Sequence, residues 1–272
     1  MVPCRCSTLR AEDTVHPRRR SRPIGPIAAW LAVTLTLACD ASSAWAGEAR
    51  IAVAANFTEA AKEVGDLFEQ TTGHRAVFSF GSTGLLYTQI SQQAPFEAFL
   101  AADRERPRKA VDDGFAVADS LFTYATGKLV LFSKDTARAT GPDTLKEAGF
   151  AKIAIANPLT APYGAAAVEA MKALGVYDVL QPKIVQGTNI AQTYQFVETG
   201  NAEVGFVALS QVVRHEEGSR WLVPEDLYSP IAQDAVMLKQ GEDNEAALAF
   251  MAFLRGPKAH AVKGKYGYGA GE

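Results

Sequence analysis

Four short segments of this 272-residue chain gather neutral hydrogen-bond donors where a strand-like run gives way to a helix-like one. They are Asn56-Phe57-Thr58, Gly81-Ser82-Thr83-Gly84, Pro162-Tyr163-Gly164 and Gly187-Thr188-Asn189. A helix that begins at such a turn presents amide N–H groups without intrahelical acceptors and about half a positive charge. Each start can therefore hold an anion with no basic side chain. Glycines on both sides of Ser82 and Thr83 let the main chain approach a guest closely. The four turns supply no acid, base or nucleophile beyond hydroxyls, so their chemistry is that of binding rather than bond breaking.

Each of these residues also has a plainer role. Asn56 and Asn189 suit helix N-caps, and Glu59 three residues after Asn56 gives the spacing of a capping box. Ser82 and Thr83 suit an ordinary strand-to-helix turn. Four similar ends in one chain argue for more. Elsewhere the chemistry is sparse: His74, His215 and His260 lack metal-ligand spacing, so no protein-ligated cation is expected. Glu216-Glu217 reads as a solvated face. Tyr266-Gly267-Tyr268, in the glycine-rich tail 264–271, reads as the end of the last helix and its cap. No phosphate-binding loop, nucleophile elbow or dinucleotide fingerprint is present, so neither hydrolysis nor a cofactor is expected.

The elements that must carry these turns alternate in short strand–turn–helix units, the pattern of an α/β fold with mainly parallel sheets. Strands are expected at 50–55, 76–80, 152–156, 183–185 and 203–209, with further strand-like runs at 128–132 and 234–238. The run-ins to those last two, 124–127 and 228–233, read as crossings between lobes. One lobe would comprise 47–125 and 229–272, the other 126–228, and ligands of open α/β sheets sit at the carboxyl edge of the strands. Two lobes facing each other across such edges could enclose one small anion.

The first 46 residues differ from the rest. Six arginines precede an apolar run at 27–38, and Ala44-Trp45-Ala46 has the small-x-small form of a signal-peptidase site, so cleavage is expected before Gly47. Cys39 offers a competing lipid-attachment reading, which its preceding residues fit poorly. All three cysteines fall in this leader, so the mature chain has no disulfide. Taking six basic and three acidic residues from totals of 27 and 30 leaves 21 against 27, a net charge of −6. That surface argues against nucleic acid, whose binding relies on lysine and arginine. It does not forbid a small anion held by local dipoles.

The ordered set of segments resembles the periplasmic molybdate-binding proteins of ABC importers. It comprises 53–57, 80–84, 94–99, 101–103, 126–131, Ala156-Asn157-Pro158 with 161–164, 205–209 and 253–257. The resemblance implies a two-lobed type II periplasmic binding protein fold, with sheets flanked by helices and two hinge crossings. It also implies that a tetrahedral dianion, molybdate or tungstate, is held by neutral donors from Asn56, Thr83, Tyr163 and Ile190, with Ala55 beside the first. Main-chain N–H groups are expected from all four, with side-chain donation from Asn56 and Thr83. Because the anion offers only acceptors, the Asn56 amide should turn its nitrogen inward. Many relatives carry serine at Asn56 and Thr83, and some carry a ligand-binding tyrosine where this chain has Ala208. The implied partners are a membrane permease and, through it, an ATPase, with the receptor a periplasmic monomer. A receptor for sulfate or phosphate, an exported enzyme on the same scaffold and an adhesion or regulatory module stay open as other readings.

Overall fold

The computed structural model describes residues 46–269 and 271. The expected leader, with its cysteines, lies outside the described residues except for Ala46. In chain order the first part runs β1 (Glu48–Ala54), α1 (Thr58–Thr72), β2 (Arg75–Gly81), α2 (Thr83–Ser91), β3 (Ala98–Leu100), α3 (Glu105–Asp112) and β4 (Phe122–Gly127). The middle part runs β5 (Leu129–Ser133), α4 (Asp143–Glu147), β6 (Ile153–Ala156), α5 (Pro162–Ala173), α6 (Tyr177–Leu180), β7 (Ile184–Gly187), α7 (Ile190–Glu198), β8 (Val204–Ala208), α8 (Leu209–Val212) and β9 (Ser219–Leu222). The last part is β10 (Ile231–Met237), α9 (Glu245–Leu254) and α10 (Pro257–Lys265).

The strands form two sheets, ordered β2-β1-β3-β10-β4 and β7-β6-β8-β5-β9. The expectation of mainly parallel sheets holds for only half of each. β1 runs parallel to β2 and β3, and β6 parallel to β7 and β8. β10 and β5 pair antiparallel to both of their neighbours. The physical reason is connectivity: β4 leads directly into β5 and β9 into β10, and strands that carry the chain between sheets enter against the direction set by the strand–helix–strand units. The crossings also differ from expectation. Residues 124–127 and 231–233 are paired strand, with Gly127 opposite Ile231 and Gln233 opposite Ala125, so the chain changes sheets at Lys128 and again over 223–230.

Local sequence accounts for most elements. α1 buries Ala60, Ala61, Val64 and Phe68 on one face, a 3.6-residue spacing. It stops at Gly73, whose φ of 77° a side chain would resist. Phe68 then packs edge-on against Phe250 and Phe253, at 5.4 and 5.6 Å between centroids. β6 and β8 are buried at every position, as strands covered on both faces are.

Two caps diverge from one another. Asn189 does cap α7, its Oδ1 accepting from Gln192 N at 3.0 Å. Asn56 does not cap α1: residues 55–57 form a 3-10 turn, Phe57 occupies the N-cap, and Asn56 is buried. Its side chain has stronger partners elsewhere.

Lys263 is 3% exposed and donates to the carbonyls of Tyr124 (2.8 Å) and Leu254 (3.1 Å). Burial pushes its pKa from 10.5 down to about 8. Between these values the unfolded chain holds the proton and the folded chain does not, so stability rises with pH across that window. Burial of Tyr124, Tyr163 and Tyr268 raises their phenol pKa values. Above about pH 10 these phenols ionise only on unfolding, which reverses the trend. Denaturant unfolding from pH 7 to 10 should show a gain of about 2 kcal/mol that Lys263→Met flattens. A level wild-type profile would mean that the lysine titrates normally.

Candidate ligand-binding site

The carboxyl ends of the two sheets meet around one small cavity. The end of β1 and the following turn contribute Ala54, Ala55 and Asn56, the β2–α2 turn contributes Gly81, Ser82 and Thr83, and Ala102 follows β3. From the second sheet come Ala161, Pro162 and Tyr163 at the start of α5 and Ile190 at the start of α7. Ala55, Asn56, Thr83, Tyr163 and Ile190, the five residues singled out from sequence, thus line one cavity. Its volume is about 10 Å³, on the scale of a single water molecule.

No carboxylate, ammonium or guanidinium group is among the lining side chains. Arg106, at the cleft mouth, donates to Asp103 Oδ2 (2.8 Å) and to the Leu159 carbonyl across the cleft (3.1 Å). Burial raises the Asp103 pKa, against the lowering effect of Arg106, and the Arg106–Asp103 ion pair sets opposite charges against each other beside the site. The cavity's polarity comes from helix starts. Thr83, Tyr163 and Ile190 are first-turn residues of α2, α5 and α7, whose amides lack intrahelical acceptors. Burial holds the Tyr163 phenol well above its usual pKa, so it remains a neutral hydroxyl.

Of the two adjacent hydroxyl residues, Thr83 already has one partner, its Oγ1 accepting from Ala102 N at 3.0 Å. Ser82 has none. It sits at the N-cap of α2 with an extended backbone yet makes no side-chain cap bond. At 3% exposure, its Oγ is the one buried side-chain polar atom without a protein partner among the described residues. A buried unpartnered hydroxyl costs about 1 to 3 kcal/mol, a penalty that a guest accepting its proton would remove. Ser82 was visible in the Gly-Ser-Thr-Gly turn, but which hydroxyl lacks a partner depends on how that turn packs against Ala102.

The Asn56 amide does not turn toward a guest. Its Nδ2 donates to Gln233 Oε1 (3.0 Å) and to the Tyr268 hydroxyl (3.1 Å), which occupies both amide hydrogens. The main-chain carbonyl of Asn56 accepts from Tyr268 (2.7 Å) and from Ser210 of α8 (2.8 Å). What Asn56 leaves for a guest is its main-chain N–H. Gln233, Tyr124 and Tyr268 were not singled out from sequence, and Tyr268 read only as part of a terminal cap. A glutamine inside the apolar run 231–237, buried at nearly every position, was the available signal.

The lobes touch at the cleft rim as well. Gly84 N donates to the Thr160 carbonyl at 2.9 Å, joining the first turn of α2 to the loop before α5.

Two sheets joined by two crossings, with helix starts from both converging on an uncharged cavity, define a two-lobed solute-binding protein. The chain belongs to the bacterial extracellular solute-binding protein family, whose sequence model matches residues 49–269. The molybdate-binding protein ModA of Rhodobacter capsulatus is 55% identical over 88% of this chain and 93% of its own length. That of Azotobacter vinelandii is 51% identical over 88% and 96%. The solved structure of the Azotobacter vinelandii periplasmic molybdate-binding protein superposes with a TM-score of 0.79 at 37% identity, covering 81% of this chain and 98% of that one.

Proposed function

We propose that this protein is the extracytoplasmic receptor of an ABC importer, capturing molybdate or tungstate between lobe I (47–125 and 229–272) and lobe II (126–228). The observation that carries this reading is a cavity free of charged side chains, lined from both sheets by helix starts and containing a buried hydroxyl in want of an acceptor. A fully deprotonated tetrahedral oxyanion presents only acceptors and complements such a lining. Similarity to molybdate-binding proteins across most of the chain supports molybdate in particular.

In this reading the main-chain N–H groups of Asn56, Thr83, Tyr163 and Ile190 grip the anion, with Ala55 beside the first. The hydroxyls of Ser82 and Thr83 donate from lobe I. Molybdenum enters only as the guest; the protein needs no cofactor and performs no catalysis. It reaches the periplasm through a signal peptide cleaved between Ala46 and Gly47, acts as a monomer, and hands its guest to a permease driven by a separate ATPase.

Calorimetric titration with molybdate, tungstate, sulfate and phosphate tests the proposal. Tight binding of the first two with weak binding of the others is expected, and preference for sulfate or phosphate would reject it. Ser82→Ala and Thr83→Ala should each weaken molybdate binding by about 1 to 3 kcal/mol. Undiminished affinity in either variant would remove that hydroxyl from the site.

A further inference from the structure

We infer that Gln233 is a positioning residue whose single amide ties the guest-binding turns of the two lobes together across the hinge. This rests on the two-lobed receptor reading above. Gln233 is fully buried on β10, where the chain has just returned from the second sheet. The β10–β4 register shifts between Gln233 and Asp234, an irregularity of the kind that re-aims a side chain. Its Oε1 accepts from Asn56 Nδ2 at 3.0 Å and lies 2.9 Å from the Tyr124 hydroxyl. Its Nε2 donates to the Tyr163 hydroxyl at 3.2 Å. One side chain thus joins a cavity residue of the first lobe, a cavity residue of the second, and the strand by which the chain leaves the first sheet.

The chemistry requires an amide. Asn56 donates into one end, where the Tyr124 hydroxyl shares its single hydrogen between Gln233 Oε1 and the Ala101 carbonyl, and the amide N–H donates to Tyr163 at the other, a donation that a carboxylate or an apolar chain of the same length cannot make. The hinge backbone is shaped around the contact: a Cβ on Gly127 would come within 2.0 Å of the Tyr163 hydroxyl and 2.5 Å of Gln233 Nε2. Only glycine leaves room for that bond. Because it spans the lobes, the bond favours the closed arrangement, and apparent affinity scales with the fraction of molecules that can close. Gln233 also fixes the Asn56 side chain, which leaves the Asn56 main-chain N–H as that turn's contribution to the guest.

The test replaces Gln233 with methionine, of similar length and without the amide, and Tyr163 with phenylalanine, which removes only the hydroxyl. Small-angle scattering of the ligand-free proteins reads closure without reference to any guest. Gln233→Met should give a larger radius of gyration than wild type, and equal radii would overturn the inference. Stopped-flow fluorescence with molybdate, reporting through Trp221 of lobe II, reads the rates. Each single variant should lose about 10- to 100-fold in affinity, carried by faster dissociation. The double variant should lose little more than the weaker-binding single, because both remove the same bond. Additive losses, or losses confined to association, would overturn the coupling. If Gln233→Met does not fold, Tyr163→Phe alone carries the test: it removes the same bond, so it should enlarge the ligand-free radius of gyration and speed dissociation, and an unchanged radius would overturn the inference. A wild-type protein that ignores molybdate defeats the receptor reading, whereas wild-type binding with unaltered variants defeats only this one.

Discussion

Asn56→Asp is expected to weaken molybdate binding by about 10³- to 10⁴-fold at pH 8. Asn56 lines a cavity with no charged side chain. A carboxylate there, though turned toward Gln233 and Tyr268 as the amide is, would still put a negative charge within a few ångströms of the dianion. At roughly 5 Å and an effective dielectric of about 20, that repulsion amounts to about 6 kcal/mol. Protonating the aspartate instead relieves the repulsion, but holding a carboxyl neutral at pH 8 costs about 5.6 kcal/mol. The smaller figure sets the loss. Because the bound form of the variant then takes up a proton, its affinity should improve about tenfold for each pH unit lowered from 8 to 6. The wild type should stay level over that range. Asn56→Ser, neutral and small, serves as the control and should stay within about 2 kcal/mol of wild type. An aspartate variant that binds at pH 8 within tenfold of wild type would place the guest away from this turn.

The second large effect is expected from Gly84→Val, which should weaken binding by at least about 100-fold without unfolding the protein. Gly84 meets the opposite lobe in the closed arrangement. A Cβ there would lie 3.0 Å from Thr160 Cα and 3.2 Å from the Thr160 carbonyl oxygen. These are tight contacts, two of them with backbone, and valine adds two further methyl groups to a Cβ that already crowds the loop before α5. Opening the cleft removes the clash, so thermal stability should hold. Closure carries the cost. A cleft wedged open would lose the donors of Tyr163 and Ile190, each hydrogen bond to a charged guest contributing about 1.5 to 3 kcal/mol. Wild-type affinity in a folded Gly84→Val protein would show that the guest is held by lobe I alone.

Much of the fold was legible because its causes are local. Apolar spacing marks α1, Gly73 and Gly200 turn left-handed at φ of 77° and 73° to end their helices, and Pro162 sits in the first turn of α5. The five cavity residues came from the family resemblance, at or beside turns that the strand-to-helix pattern had already marked. The antiparallel insertion of β10 and β5 was not legible, since strand direction depends on the path between sheets rather than on residue pattern.

Residues of the same type also met different fates. Asn56 and Asn189 look alike as capping asparagines, yet one accepts from a neighbour three residues away and the other donates to Gln233, 177 residues away. Tyr266 and Tyr268 sit two apart, and only Tyr268 reaches Asn56, while Tyr266 donates to Glu63 on α1. Ser82 and Thr83 differ by which hydroxyl Ala102 happens to meet.

By itself the sequence determined the starts of α2, α5 and α7, the lack of charged side chains in the four turns and the alternation of strand with helix. Those follow from propensity, capping and backbone geometry over a few residues. Tertiary structure alone decided which way the Asn56 amide points, that Ser82 rather than Thr83 lacks a partner, and that Gln233 bridges the lobes. A buried donor must find an acceptor wherever the folded chain brings one, and that partner is chosen by packing between segments far apart in sequence.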